Sequence, residues 1–191
     1  MSIILDAMTR VLEREGDAAA TTTRVAEVAG ISIGTLYQYF LDRDAILDAL
    51  QDREFDRATE LMQQALAAGI HESPRSTARG VVQGLQRLYT AAPGLHRLLA
   101  LEGLRVTPTE RVQAFDRRII DVIRRFLAVA GIPLRRTNVE GAAFVAYHSV
   151  RATMLARLIE APPSLDDAMV VEEITDLLLR YLIDEQSLPG V

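Results

Sequence analysis

The 191 residues contain no cysteine and no lysine. Without cysteine there can be no disulfide, no thiolate metal site and no cysteine nucleophile. Every one of the 21 basic residues is arginine, which reads as a compositional bias of the source and not as a functional signal. No segment approaches eighteen uninterrupted apolar residues, so no membrane span is expected. The N-terminus lacks a basic region followed by an apolar run and a small-residue cleavage site, so no secretory leader is expected either. Together these absences predict a cytoplasmic protein. Catalytic signals are missing as well. There is no glycine-rich phosphate loop and no nucleophile elbow. The three histidines, His71, His96 and His148, are widely separated, and none forms an i, i+4 pair with a third ligand. Neither an enzyme, nor a metal, nor a cofactor is expected.

What is present is helical periodicity from end to end. Hydrophobic residues make up 49% of the chain, ample for a core, and the length allows one domain or a small domain followed by a larger one. Ile4, Leu5, Met8, Val11 and Leu12 mark one face of a helix over about 3–16, with Gly16 as its stop. A long helix is expected from Arg43 to about Ala68, capped by Asp42. Further helices follow over about 74–92, 95–104, 108–130, 137–160 and 164–184. Their breaks are Ala92-Pro93-Gly94, Gly131-Ile132-Pro133 and Ala161-Pro162-Pro163. No convincing strand, repeat or low-complexity tract interrupts this all-α pattern, and the tail over 186–191 is expected to be loose.

The stretch from Thr21 to Phe40 is the most informative. Thr21 can cap a short helix on which Val25, Ala26 and Ala29 recur at helical spacing. Gly30 supplies the left-handed residue that ends it. Ile31 plugs the turn, and Ser32 caps a second short helix. Leu36 and Phe40, four apart, turn inward, leaving Ile33, Gly34, Thr35, Tyr37 and Gln38 outside. This is a helix-turn-helix. The run Ala29-Gly30-Ile31-Ser32, Gly34-Thr35-Leu36-Tyr37, Tyr39-Phe40 and Arg43-Asp44 resembles the DNA-binding signature of the TetR (tetracycline-repressor) family, over about residues 4–50.

That resemblance implies an N-terminal helix-turn-helix domain over 1–45 and a helical ligand-binding and dimerisation domain over 46–191. Tyr37 and Tyr39 would donate phenolic hydrogen bonds to phosphates, as the matching family positions do. Thr22 and Thr35 can do likewise, with Arg43 adding charge. Gly34 lets the helix N-terminus approach a sugar-phosphate backbone without a side chain in the way. Gln38 is the best base reader, since its amide can pair bidentately with adenine. Thr23, Arg24 and Ile33 can also face bases. The plainer alternatives are that Tyr39 packs, that Arg24 pairs with Glu27, and that Ile33 is buried.

Charge complicates this reading. The net charge is −5, which argues against indiscriminate nucleic-acid binding. Within residues 1–45, Arg10, Arg14, Arg24 and Arg43 stand against Asp6, Glu13, Glu15, Asp17, Glu27, Asp42 and Asp44. Phosphate-binding modules usually have the opposite balance. Only Met1 and Ser2 precede the first helix, where family members often carry a basic arm; either the arm is absent or the start is late.

For the remainder, the family implies an effector pocket. Candidate lining residues are Leu61, Met62, Leu85, Tyr89, Leu98, Phe115, Ile119, Phe144, Tyr147, His148, Arg151 and Leu155. Polar groups amid an apolar wall suit a ligand, although such a stripe also suits plain core, and His148 as a satisfied core histidine is an open alternative. The last two helices, rich in small residues and then in Leu and Ile, are expected to pair with a second copy through Ala142, Ala146, Ile174, Leu178 and Tyr181. The expected function is a dimeric regulator, usually a repressor, that binds a palindromic double-stranded operator and is released by an unidentified small molecule. The alternative is a helical small-molecule-binding protein whose DNA reading is weak or lost.

Overall fold

A computed structural model describes residues 1–162 and 164–184, with the side chain of Leu104 also outside the description. Pro163 and the tail expected to be loose lie outside the described residues. Nine α-helices run through them: α1 (Ser2–Glu15), α2 (Thr22–Ala29), α3 (Ile33–Tyr39), α4 (Arg43–Gly69), α5 (Pro74–Ala91), α6 (Pro93–Val106), α7 (Thr109–Val129), α8 (Val139–Glu160) and α9 (Asp167–Leu182). The all-α expectation holds. Two local features depart from it. Between α1 and α2 the chain makes a turn of 3₁₀ helix over Asp17–Ala19 that the periodicity does not mark. The last helix begins at Asp167 because the Asp166 side chain accepts from the Met169 N–H at 2.8 Å and fixes the start there. Leu134 and Ile183 form an isolated antiparallel bridge.

The chain packs as two compact units. The first comprises Met1–Asp56 with Tyr89–Val112, the second Arg57–Leu88 with Gln113–Val191. In the first, Ile4, Met8, Val25, Leu36, Ile46, Leu47 and Leu50 share one buried core with Leu95, Leu98 and Leu99 of α6. Polar contacts secure α6 at both ends. The Leu95 N–H at its start donates to Glu13 Oε1 at 2.8 Å, satisfying one of the orphan donors of a helix N-terminus. Near its end Arg105 grips Asp44 through Nη1 at 2.7 Å and Nη2 at 3.1 Å, and holds that carboxyl below the usual carboxylate range. Arg111 extends the lattice to Asp48 and, at 2.6 Å, to Asp52. Burial pushes the Asp52 carboxyl upward.

The second unit has its own core of Met62, Leu66, Val81, Ile119 and Tyr147, with Leu85, Phe115, Ile123 and Phe126 packed against it. Arg75 ties α5 to α9 through Asp176 at 2.8 Å and Glu172 at 3.3 Å. Among the described residues no helix is long and apolar enough to cross a membrane.

Candidate nucleic-acid interface

The helix-turn-helix forms through the expected local devices. Thr21 accepts from the Arg24 N–H at 3.2 Å and starts α2. Gly30 closes it at φ 70°, its N–H reaching the Ala26 and Glu27 carbonyls, a left-handed geometry that costs glycine little and a β-carbon more. Ser32 accepts from the Thr35 N–H at 3.0 Å and starts α3. Leu36 is wholly buried and Phe40 nearly so, which anchors one side of α3 in the core.

The other side faces solvent. Ile33, Gly34, Tyr37, Gln38 and Tyr39 are exposed, as is Thr23 on α2. Ile33 and Tyr39, at 39% and 56% exposure, are therefore neither buried nor packed away. Thr22 and Tyr37 are joined through their hydroxyls at 3.3 Å, linking the two helices of the motif at its outer surface. Thr35 is half-buried, with its hydroxyl 2.9 Å from that of Ser32. Around Gly34, a β-carbon would meet nothing closer than Ser32 Oγ at 3.7 Å. Nothing inside the protein demands glycine there.

The two arginines of the set are engaged. Arg24 donates from Nε to Glu15 Oε2 at 2.9 Å, from Nη2 to Glu15 Oε1 at 2.9 Å and from Nη1 to Glu27 Oε2 at 2.9 Å. The pairing with Glu27 foreseen as an alternative is real, and a second carboxylate joins it. The Arg24 hydrogen bonds hold the Glu15 carboxyl below its ordinary range. Arg43 donates from Nε to the Ala20 carbonyl at 3.0 Å and from Nη2 to Asp17. Sequence spacing exposes the Arg24–Glu27 pair, three apart on one helix. Glu15 comes from the end of α1 and Asp17 from the turn that follows it, and neither leaves such a periodic trace.

Elsewhere the candidates scatter. Met62, Leu85, Phe115, Ile119 and Tyr147 do converge in the core of the second unit, and half-buried Leu61 lies against Gly84. The Tyr147 hydroxyl donates to Asp116 at 2.5 Å, a partner not foreseen. His148 is half-buried, its ring 4.3 Å from Phe144 and 4.8 Å from Tyr147. Phe144 itself is 53% exposed, so it does not line an interior wall. Arg151 and Leu155 are half-buried. Tyr89 and Leu98 belong to the first unit. Tyr89 sets its ring edge-on to His96 at 5.0 Å, and Leu98 is part of that unit's core. The residues expected at a pairing seam lie mostly inside their own protomer. Ala142, Ala146, Ile174 and Leu178 are buried within their own chain because α8 and α9 turn these faces into the protomer. Half-buried Tyr181 stacks with Arg136 at 4.8 Å.

Residues 4–50 match the family described as bacterial regulatory proteins, tetR family. Residues 73–182 match the tetracyclin repressor-like C-terminal domain. The chain belongs to the TetR family. This TetR-family protein is 31% identical over 121 residues to the HTH-type transcriptional regulator BetI of Paraburkholderia phytofirmans, an alignment covering 60% of each chain. The chain thus spans about three fifths of that curated relative. In fold it is similar to the fatty acid degradation regulator FadR from Bacillus halodurans, with a TM-score of 0.70, 17% identity and 93% of each chain covered. It is also similar to the TetR family transcriptional regulator PfmR from Thermus thermophilus, with a TM-score of 0.68 and 18% identity over 93% of this chain and 97% of that one. All three are named as regulators.

Proposed function

We propose that this TetR-family chain is a cytoplasmic, ligand-responsive repressor that binds a two-fold operator as a homodimer. The observation that carries the reading is α3, anchored by Leu36 and Phe40 with Ile33, Gly34, Tyr37, Gln38 and Tyr39 outside. A helix held rigidly on one side and lined with polar and aromatic groups on the other suits a major groove. In this reading residues 1–45 read DNA. Gln38 reads a base, Ile33 meets a thymine methyl, and Thr23 lies beside the bases. Thr22, Thr35, Tyr37 and Tyr39 bond phosphates, and Gly34 admits the backbone. Arg24 and Arg43 supply the charge.

Residues 46–191 would bind the effector and the second copy. The effector would enter among Leu61, Met62, Leu85, Phe115, Ile119 and Tyr147, with Tyr147–Asp116 as a polar end. The dimer surface would comprise residues of α8 and α9 that their own chain leaves uncovered: Phe144 and Ile159 on α8, Met169 and Leu177 on α9, with Tyr181 at its edge. Effector and DNA would then disfavour one another by linkage, typically by about 1–3 kcal/mol. Anisotropy titration with duplexes tiled from the DNA preceding its own coding sequence tests the reading. One tile should bind well above a random-sequence duplex, and equal binding to all would remove operator reading.

A further inference from the structure

Arg24 and Arg43 are the cations of the proposed DNA-facing set, and both already have anionic partners in the free protein. Glu15 occupies the Nε/Nη2 edge of Arg24 and Glu27 its Nη1. Asp17 occupies Nη2 of Arg43, while Asp44 lies 4.0 Å from Nη1. Two positive charges therefore sit among three directly paired carboxylates, Glu15, Asp17 and Glu27. Glu15 is the last residue of α1, the negative end of a helix, where an anion is disfavoured unless a cation answers it. These pairs are solvent-exposed, with Arg24 and Glu15 side chains 43% and 34% accessible. Exposed pairs in water contribute little to stability, so they can be exchanged.

We propose that Glu15, Glu27 and Asp17 are built-in counter-ions of the reading head, which DNA phosphate must displace before Arg24 and Arg43 can contribute. The inference rests on the DNA-binding reading. A condensed cation released from DNA is normally the entropic gain of each arginine–phosphate contact. Here each contact also strands a carboxylate beside the polyanion. Operator binding then leans on neutral donors such as Tyr37 and Tyr39, and non-specific binding stays weak. The carboxylates thereby act on specificity, since phosphate contacts carry no sequence information.

The test measures binding to the best operator tile and to a random-sequence duplex across salt, for wild type, Glu15→Gln, Glu27→Gln, Asp17→Asn and the Glu15→Gln/Glu27→Gln pair. Freeing one arginine should steepen the log–log salt slope by about 0.9 per head. Between 50 and 200 mM salt that adds roughly 3.5-fold per head to the loss of affinity. Binding should tighten at low salt on both duplexes, more in relative terms on the random one. Glu15→Asp keeps the charge and should stay near wild type. Arg24→Gln alone should leave the salt slope near the wild-type value, but in the Glu15→Gln/Glu27→Gln background it should remove the added steepness, a coupling that a general loss of structure would not produce. Thermal melts confirm that each variant is folded at the assay temperature. If the variants bind more weakly, the carboxylates orient Arg24 for phosphate and the proposal is overturned. Unchanged slopes beside a binding wild type overturn it too, leaving operator reading intact. If no variant binds any duplex even at low salt, both readings fall together.

Discussion

The outward face of α3 is marked in the sequence by helical periodicity, whereas the outward face of α8 is not. On α2 and α3 polar and apolar residues alternate with helical period, so Val25, Ala26, Leu36 and Phe40 must be inside and Gln38 outside. α8 is apolar nearly all round, with Ala142, Ala143, Ala146 and Val150 buried and Phe144, Val145 and Ile159 exposed. Hydrophobicity there marks two destinations, the protomer's own core and a further surface, and periodicity cannot tell them apart. Size does not separate them either: Tyr147 and Met154 are buried with the alanines, while Ala152 is exposed with Phe144.

The largest test of that contrast is a charge on either side of α8. Ala146→Glu buries a carboxylate with no partner, and should cost of order 4 kcal/mol of protomer stability, seen as a large drop in the denaturant midpoint. Phe144→Glu or Leu177→Glu should leave the protomer's stability within about 0.5 kcal/mol, while sedimentation shows monomers. Folded dimers from both exposed-site variants would place the interface elsewhere. Dimers from a well-folded Ala146→Glu would reverse the assignment of faces.

A second pair sharpens the reading of α3. Gln38→Ala should cost about 1–3 kcal/mol at one base position and relax specificity there. Tyr37→Phe should weaken all duplexes alike, and it also removes one partner of the 3.3 Å bond to Thr22. The same sequence profile from both would show that base and phosphate roles are wrongly divided.

Gly34→Ala separates folding from reading most cleanly. With only Ser32 Oγ at 3.7 Å, the methyl fits, and helix propensity should raise stability by about 0.5–1 kcal/mol. Operator affinity should nevertheless fall, because the methyl stands where the DNA backbone approaches. A variant that is more stable and binds as well as wild type would leave Gly34 without a role at the interface.

The smallest effect is in acid. Glu15, Asp44 and Asp121 are held below their ordinary range, chiefly by hydrogen bonds from Arg24, Arg105 and Arg124 respectively. A depressed carboxylate contributes stability above its unfolded value and loses it as pH falls through the folded one. Asp52, raised by burial, works in the opposite sense and is relieved by protonation. The denaturant midpoint should therefore be flat from neutral pH to about 5, then decline below about 4. A decline beginning near pH 6 would point to histidine instead.

The starts and the stop of the two motif helices were legible because caps and breakers are local: Thr21, Gly30 and Ser32 act within three or four residues of themselves. The ionic partners of the site were not. Glu15 is nine residues from Arg24 and Asp17 is twenty-six from Arg43; the packing of α1 against α2 brings the first pair together, and the approach of the 3₁₀ turn to the start of α4 the second. The count of four arginines against seven acids in residues 1–45 does not say which acids face the arginines. Tyr147 and Asp116, thirty-one apart, meet for the same non-local reason.

The Glu13 cap on α6 bears on how this chain is made and rearranged. The head's core needs Leu95, Leu98 and Leu99, but Arg57–Leu88, which belong to the other unit, emerge from the ribosome first. At about 5–20 residues per second, the N-terminal helices wait seconds with one flank uncovered. Recombination faces the same constraint. A chimera that exchanges residues 1–45 alone carries Glu13 to a host α6 whose N-terminus and apolar positions were matched to a different head. Transplanting Met1–Asp56 together with Tyr89–Val112 moves the inheritable block as a whole, even though the genetic text that encodes it is in two pieces.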